Sequence, residues 1–244
     1  MKVVKLGGSL LDDKTRRAAA LRDIVADWNA GREIVLVHGG GKHVDASLKK
    51  LGIPKRSYGG LRITDDETLE VVVATLAGSV NKMLVAELTA MGVRSAGISG
   101  ADAGTLVAEV HPPIDGVDLG HVGRVVSASG TLISAMLDCG ILPVVSSVAQ
   151  GPNGALLNVN ADSAAAAVAS AIGATSLQFI TDVAGLLDRN GSVVPSLTAN
   201  DAHKLLASEI VTGGMKPKLQ AALGALAAGV RTINIGGGTE LVAA

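Results

Sequence analysis

Aromatic side chains are nearly missing from this chain. Trp28, Tyr58 and Phe179 are the three among 244 residues. With so few flat faces there is little on which nucleic-acid bases could stack. An excess of either charge is missing too: 21 basic and 22 acidic side chains leave a formal net charge of −1. No positive field points to a phosphate-backbone partner, and the short basic cluster of Lys49, Lys50, Lys55 and Arg56 reads as a solvated face. The single cysteine, Cys139, cannot form an internal disulfide, which fits a reducing, cytoplasmic location and a structural thiol. No uninterrupted apolar run reaches about 18 residues and no leader precedes the first strand signal, so no membrane partner is expected. The five histidines (His38, His43, His111, His121 and His203) show no metal-ligand spacing. No nucleophile elbow or paired-carboxylate motif occurs, so a protein-bound metal site is not expected. Each histidine reads as structural, with His121, inside Leu119-Gly120-His121-Val122-Gly123, the one to watch.

What the chain does have is a 48% share of apolar residues and 31 glycines. That supports a sizeable core of Val, Leu, Ile and Ala, in one large α/β domain or two fused lobes. Short β-branched runs alternate with longer helical patterns. Strands are expected near residues 3–6, 33–37, 94–98, 142–148, 177–181 and 232–235. Helices are expected over 15–30, 44–51, 64–91 (one long helix or two) and 164–174. This alternation implies an open, mainly parallel sheet sandwiched between helices. Residues 105–125 and 151–159, rich in Gly, Pro, Asn and Asp, read as loops or hairpins.

Glycine-rich turns follow strands at Gly7-Gly8, Gly39-Gly40-Gly41 and Gly236-Gly237-Gly238, which puts them at the carboxyl edge of a parallel sheet, where ligands bind. His38 through Lys42 is not a P-loop, because Leu36 and His43 stand where that pattern needs Gly and Ser or Thr. Nor is it a dinucleotide loop, because Val44 replaces the last glycine. A triple glycine before a helix still lets backbone N–H groups approach an anion, although a tight turn would use it as well. Lys5 ends an apolar strand, where an ammonium needs a partner or must snorkel to water. Lys216 and Lys218 flank a proline at a helix start. Asn160 and Asp162 open the alanine-rich helix; either could cap it, and Asp162 could hold two lysines charged and placed. Arg62, before a helix capped by Thr64 or Asp65, suits a carboxylate. Asp182, at a strand end, suits a nucleotide edge or a simple turn.

In order along the chain, Lys5-Leu6-Gly7-Gly8-Ser9, His38-Gly39-Gly40-Gly41, Gly60-Leu61-Arg62-Ile63-Thr64, Leu119-Gly120-His121-Val122-Gly123, Asn158-Val159-Asn160-Ala161-Asp162, Thr181 to Gly185 and Gly213 to Lys218 resemble the amino acid kinase family. The Gly-Leu-Arg-Ile-Thr and Leu-Gly-His-Val-Gly segments are similar to its acetylglutamate branch. The resemblance implies an acceptor lobe over about residues 1–160 and a nucleotide lobe over about 161–244. It implies transfer of a phosphoryl group from ATP to the γ-carboxylate of N-acetyl-L-glutamate, in arginine synthesis. Lys5 and Lys218 would stabilise the phosphoryl in flight, with Asp162 organising them, and the two lysines would come together only when the lobes close around both substrates. Gly40, Gly41, Arg62 and Asn158 would hold the acceptor. Gly7, Gly8, Asp182, Val183, Ala184, Gly185, Leu186, Leu187, Ile210, Val211 and Thr212 would line the nucleotide. Mg²⁺ would ride on the ATP phosphates. Starting the first strand at Met1 implies a homodimer without arginine feedback. The end at Ala244 leaves the edge of the nucleotide lobe short of the family pattern. A kinase for a carrier-linked aminoadipate or glutamate is the nearest rival, and Tyr58-Gly59-Gly60-Leu61-Arg62 lacks the arginine-rich segment expected there.

Overall fold

The computed structural model describes residues 1–188, 190–208, 211 and 213–243. Strands and helices are numbered here in chain order. The main sheet has eight strands. From one edge to the other they are β12 (Ser196–Thr198), β14 (Thr239–Val242), β13 (Thr232–Ile235), β11 (Ser176–Ile180), β1 (Lys2–Leu6), β2 (Ile34–His38), β8 (Leu142–Ser146) and β5 (Ser95–Ser99). Every neighbouring pair is parallel except β13 with β14. The central strands read as unbroken apolar runs because helices cover both faces. On one face Val3, Val37, Phe179 and Ile235 pack with α7 (Ala161–Ala171) and α9 (Met215–Ala227). On the other, Val4, Leu6, Leu36 and Val144 pack with α2 (Lys14–Asn29) and α5 (Asn81–Ala90). Leu36 is wholly buried, so cutting it to Ala would cost about 2–5 kcal/mol.

The expected alternation is present, with differences of detail, among them the edge strand β12 and the antiparallel β14, which were not expected. The glycine turn at 39–41 runs straight into α3 (Gly41–Leu51), so this helix starts ahead of Val44. The run at 142–148 divides at Ser147, where the chain leaves the main sheet. There β9 (Val148–Gln150) joins β6 (Leu106–Val110), β7 (Val122–Ala128) and β10 (Leu156–Val159) in a small closed barrel. The stretches 105–125 and 151–159 are therefore hairpins rather than loops: β6 pairs antiparallel with β7, and β9 with β10. The long helix is continuous from α4 (Asp66–Val73) to α5, but its middle turns, Ala74–Val80, are π-helical. Such widened turns concentrate at functional sites. By length and composition Asp66–Ala90 could cross a membrane, which the sequence expectation of no such run did not foresee; here it packs against the sheet through Leu84 and Leu88. The remaining elements are α1 (Gly8–Asp12), the short hairpin β3 (Ser57–Tyr58) and β4 (Leu61–Arg62), α6 (Thr131–Asp138) and α8 (Ala199–Ala207). Cys139 caps α6 and is exposed.

The sheet is unbroken where the two expected lobes meet. That seam is the β1–β11 pairing, with Lys5 opposite Phe179. Beyond Gly236-Gly237-Gly238 the chain turns back as β14, which lies between β13 and β12.

Candidate active site

Strand alternation sends Val4 and Leu6 to the α2 face and Lys5 to the opposite face, toward the start of α7. Asn160 is the helix cap there, its Oδ1 accepting from the N–H groups of Asp162 (2.8 Å) and Ser163 (3.1 Å). That leaves the Asp162 carboxylate free for other work. It receives Lys5 Nζ at 2.7 Å on Oδ1, and Lys218 Nζ at 3.0 Å on both oxygens. All three residues are buried, at 6–7% exposure. Burial pushes the Asp162 carboxyl up, yet the two ammonium groups outweigh it and hold it below the usual carboxylate range. Burial and the nearby Lys5 push the Lys218 ammonium down, with Asp162 opposing them. The Lys218 ammonium also sits 5.0 Å above the ring centre of Phe179, a favourable cation–π distance. Asp162 thus joins the two lysines across the seam of the two expected lobes. A buried carboxylate between two cations removes the cost of leaving either unpaired.

The glycine turns converge on this bridge. Gly8 opens α1, and a Cβ placed on it would lie 3.6 Å from the Gly41 nitrogen. Gly40 has φ 153° and ψ 36°, a region closed to other residues, and a Cβ there would meet Leu76 Cδ2 at 2.9 Å. A cavity of about 240 Å³ opens between these turns; its walls include Lys5, Gly8, Gly40, Gly41, Arg62, Asn158 and Asp162. Val44, Val72 and Leu76 give it an apolar side. That volume is below the roughly 300 Å³ usual for drug-sized ligands, which suits a small acceptor.

Arg62 enters the cavity from β4. Its Nη2 donates to the Gly41 carbonyl at 3.0 Å and pairs with Asp45. Its Nη1 is buried with no partner, a donor group left open toward an anion. Asp65 caps α4 by accepting from the Thr68 N–H at 3.0 Å, so Thr64 is free to receive Asn158 Nδ2 at 3.2 Å. His121 holds the same corner together. Its N–H donates to the Thr64 carbonyl, its carbonyl accepts from the Asn158 N–H, and its Nε2 lies 2.6 Å from Asp66 Oδ1.

On the nucleotide side the expected segment divides. Gly7 N–H bonds the Ile180 carbonyl at 2.9 Å, bringing the two strand ends together. Asp182 accepts from Thr181 Oγ1 at 3.0 Å, and that bond, helped by Ser9, holds its carboxyl below the usual range. Val183 and Leu187 are exposed, whereas Leu186 is turned into the core. Its N–H donates to Thr239 Oγ1 at 2.8 Å, and the Ala184 carbonyl accepts from Gly238 N–H. Gly185 lies tight against Thr239, whose Oγ1 would be 2.5 Å from an added Cβ. Leu186 therefore anchors the segment instead of presenting a side chain to a ligand. Val211 is likewise buried; Ile210 and Thr212 lie outside the described residues. Lys216 is exposed two residues before Lys218, on the opposite side of α9, and lines a separate cleft.

Among the described residues lining the cavity no side chain is free to act as a base, since the carboxylate there, Asp162, is bound by two lysines. Cations and amides without a base are what transfer of a phosphoryl group to an already ionised acceptor needs, and the class the fold and site define is a phosphotransferase. The model of the amino acid kinase family matches residues 1–237. Acetylglutamate kinase from Geobacillus kaustophilus (strain HTA426) is 45% identical, over 92% of this chain and 84% of its own. Acetylglutamate kinase from Solibacter usitatus (strain Ellin6076) is 44% identical, over 97% of this chain and 90% of its own. Among solved structures, smu.665 from Streptococcus mutans UA159 superposes with a TM-score of 0.88 at 29% identity, covering 99% of this chain and 98% of that one. The chain belongs to the amino acid kinase family, and within it to the acetylglutamate kinases.

Proposed function

We propose that the protein transfers the γ-phosphoryl group of ATP to the γ-carboxylate of N-acetyl-L-glutamate. A carboxylate oxygen forms the new O–P bond, the bond to the β-phosphate oxygen breaks, and ADP leaves. The observation that carries the reading is the Lys5–Asp162–Lys218 bridge, of which Lys5 and Asp162 line the acceptor cavity. The acceptor's γ-carboxylate has an ordinary pKa of about 4.3 and is ionised at neutral pH, so the barrier is repulsion between anions, not a missing proton transfer. Lys5 and Lys218 meet the charge that spreads over the transferring group, and the Gly40 and Gly41 amides meet it from the other turn. Arg62 Nη1 binds the acceptor's α-carboxylate, and Asn158 donates beside it. Gly7 and Gly8 form the turn under the nucleotide phosphates, while Asp182 to Leu187 borders the rest of the nucleotide.

Among the described residues no cluster of His, Cys, Asp and Glu could hold a metal ion, and both Asp162 oxygens face ammonium groups. We propose that Mg²⁺ arrives on the ATP phosphates, where it would neutralise part of their charge. We place the enzyme in the cytoplasm as a homodimer, with contact at the half-buried edge strand β5 and the apolar helix beside it. The test incubates the protein with Mg-ATP, hydroxylamine and candidate acceptors. Hydroxamate formed from N-acetylglutamate supports the reading; its absence sinks it. Sedimentation tests the dimer separately.

A further inference from the structure

His38 and Asn81 take no part in the site as described so far, yet both are completely buried beneath it. His38 ends β2 and immediately precedes the glycine turn. Its Nδ1 lies 2.8 Å from the Gly39 carbonyl, and its Nε2 lies 3.1 Å from Asn81 Nδ2. The orientation of Asn81 is fixed by its other neighbours. Nδ2 faces the carbonyls of Val144 (2.9 Å) and Ile98 (3.3 Å), and Oδ1 accepts from Lys82 Nζ at 3.1 Å. An amide nitrogen only donates, so His38 Nε2 must accept and the ring proton must sit on Nδ1. The fold makes room for this arrangement: a Cβ on Gly97, in mid-strand β5, would fall 1.7 Å from Asn81 Oδ1.

The tautomer sets the direction of the catalytic amides. In a trans peptide the carbonyl and the next N–H point in opposite directions. Holding the Gly39 oxygen against the imidazole therefore turns the Gly40 N–H away from it. The next two carbonyls are held as well: Gly40 accepts from the Val44 N–H, and Gly41 from Arg62 Nη2. The Gly40 and Gly41 N–H groups themselves have no partner among the described residues. Because Gly40 has a conformation that only glycine holds freely, nothing in its own side chain keeps the turn in place. We infer that His38, oriented by Asn81, is a positioning residue that fixes the Gly39–Gly40 peptide so that its N–H faces the transferring phosphoryl group. Burial also pushes the imidazole down to about 4, so the ring stays neutral at physiological pH. A neutral ring adds no charge to compete with Lys5 and Lys218 for the phosphoryl oxygens.

The inference rests on the proposed phosphoryl transfer, and two readouts separate them. Heteronuclear NMR of the labelled ring nitrogens in the wild-type protein, near neutral pH, is expected to show a protonated Nδ1 and a bare Nε2. A proton on Nε2, or on both nitrogens, overturns the inference whatever the enzyme does. The second readout is kinetic. His38→Asn keeps an amide donor at the Nδ1 position, whereas His38→Gln places its amide at the Nε2 position and loses the bond to Gly39. The Gln variant is expected to have a kcat at least about 10-fold below the Asn variant, with both nucleotide and acceptor KM values within about threefold of each other. Equal kcat values, or values that simply follow the unfolding midpoints, overturn the positioning role. Should His38→Asn fail to fold, the tautomer measurement still decides the matter. Failure of the wild type to form product counts against the reaction and leaves the tautomer result standing.

Discussion

Replacing Asp162 by Asn tests the bridge directly. Both lysines reach the same Oδ1, so their ammonium nitrogens can be no farther apart than the sum of 2.7 and 3.0 Å. With the carboxylate gone, two buried positive charges face each other across that gap. At an effective dielectric of about 20 the repulsion is about 3 kcal/mol, and breaking a buried ion pair by removing one partner costs about 3–5 kcal/mol. Asp162→Asn should therefore be destabilised by about 3–5 kcal/mol in urea unfolding at neutral pH. The Lys218 ammonium also loses the group that opposed its downward shift, so activity in the variant should fall off at lower pH than in the wild type. The repulsion has a sign that distinguishes it from mere loss of packing. Adding Lys5→Met to Asp162→Asn should restore part of the lost stability, though not the activity. Each variant would be followed by urea unfolding and by the hydroxamate assay. A single variant within about 1 kcal/mol of wild type, or a double variant less stable than the single by the full cost of Lys5→Met, would refute the reasoning.

Lys218→Ala should lower kcat by at least about 100-fold, the scale for losing one transition-state charge contact, whereas Lys216→Ala should stay within about threefold in steady-state kinetics. Arg62→Lys keeps the charge but loses the planar fork, so the acceptor KM should rise by about 10-fold or more with little change in the ATP KM. His38 is neutral in the fold down to about 4, against 6.5 for an ordinary histidine. Between these values the unfolded chain binds more protons, so stability is fully present above about 6.5 and falls as pH drops toward 4. The loss is about 3 kcal/mol, and urea unfolding of wild type against His38→Asn should show that slope only in the wild type.

Six of the eight main-sheet strands were legible as short apolar runs, four of them followed by glycine, whereas the edge strand β12 and the antiparallel β14 are too short and polar to stand out from the turns around them. Lys5 drew notice because an ammonium at the end of an apolar strand needs a partner, and Arg62 because it precedes a capped helix. The divided duties of Asn160 and Asp162 were open in the sequence, since either residue can cap a helix. Geometry assigned them, as only Asn160 has its side chain turned back on the helix N–H groups. The small barrel was half legible: its strands are short and interrupted by Gly and Pro, so local pattern allowed hairpins but not their closure. The nucleotide segment read as one stretch, yet Leu186 packs inward because Thr239, far along the chain, accepts it. The pairing of His38 with Asn81 left only indirect traces, an asparagine in an apolar helix and a glycine in mid-strand, because its partners are 43 residues apart.

The place of β1 carries a consequence for how the enzyme comes into being. Of the strands described, β1 is made before the others and is a central one, flanked by β2 and, on its other side, by β11 from residues 176–180. Until β11 is made, one edge of β1 and the apolar face around Lys5 have no cover, and such edges invite wrong pairings. Lys5, Asp162 and Lys218 can meet only after residue 218 has been synthesised, a closure of high sequence separation and correspondingly slow. Catalytic turnover in this protein is therefore a late marker of maturation, appearing after compactness and helix content and reporting that the distant segments carrying Lys5, Asp162 and Lys218 have found each other.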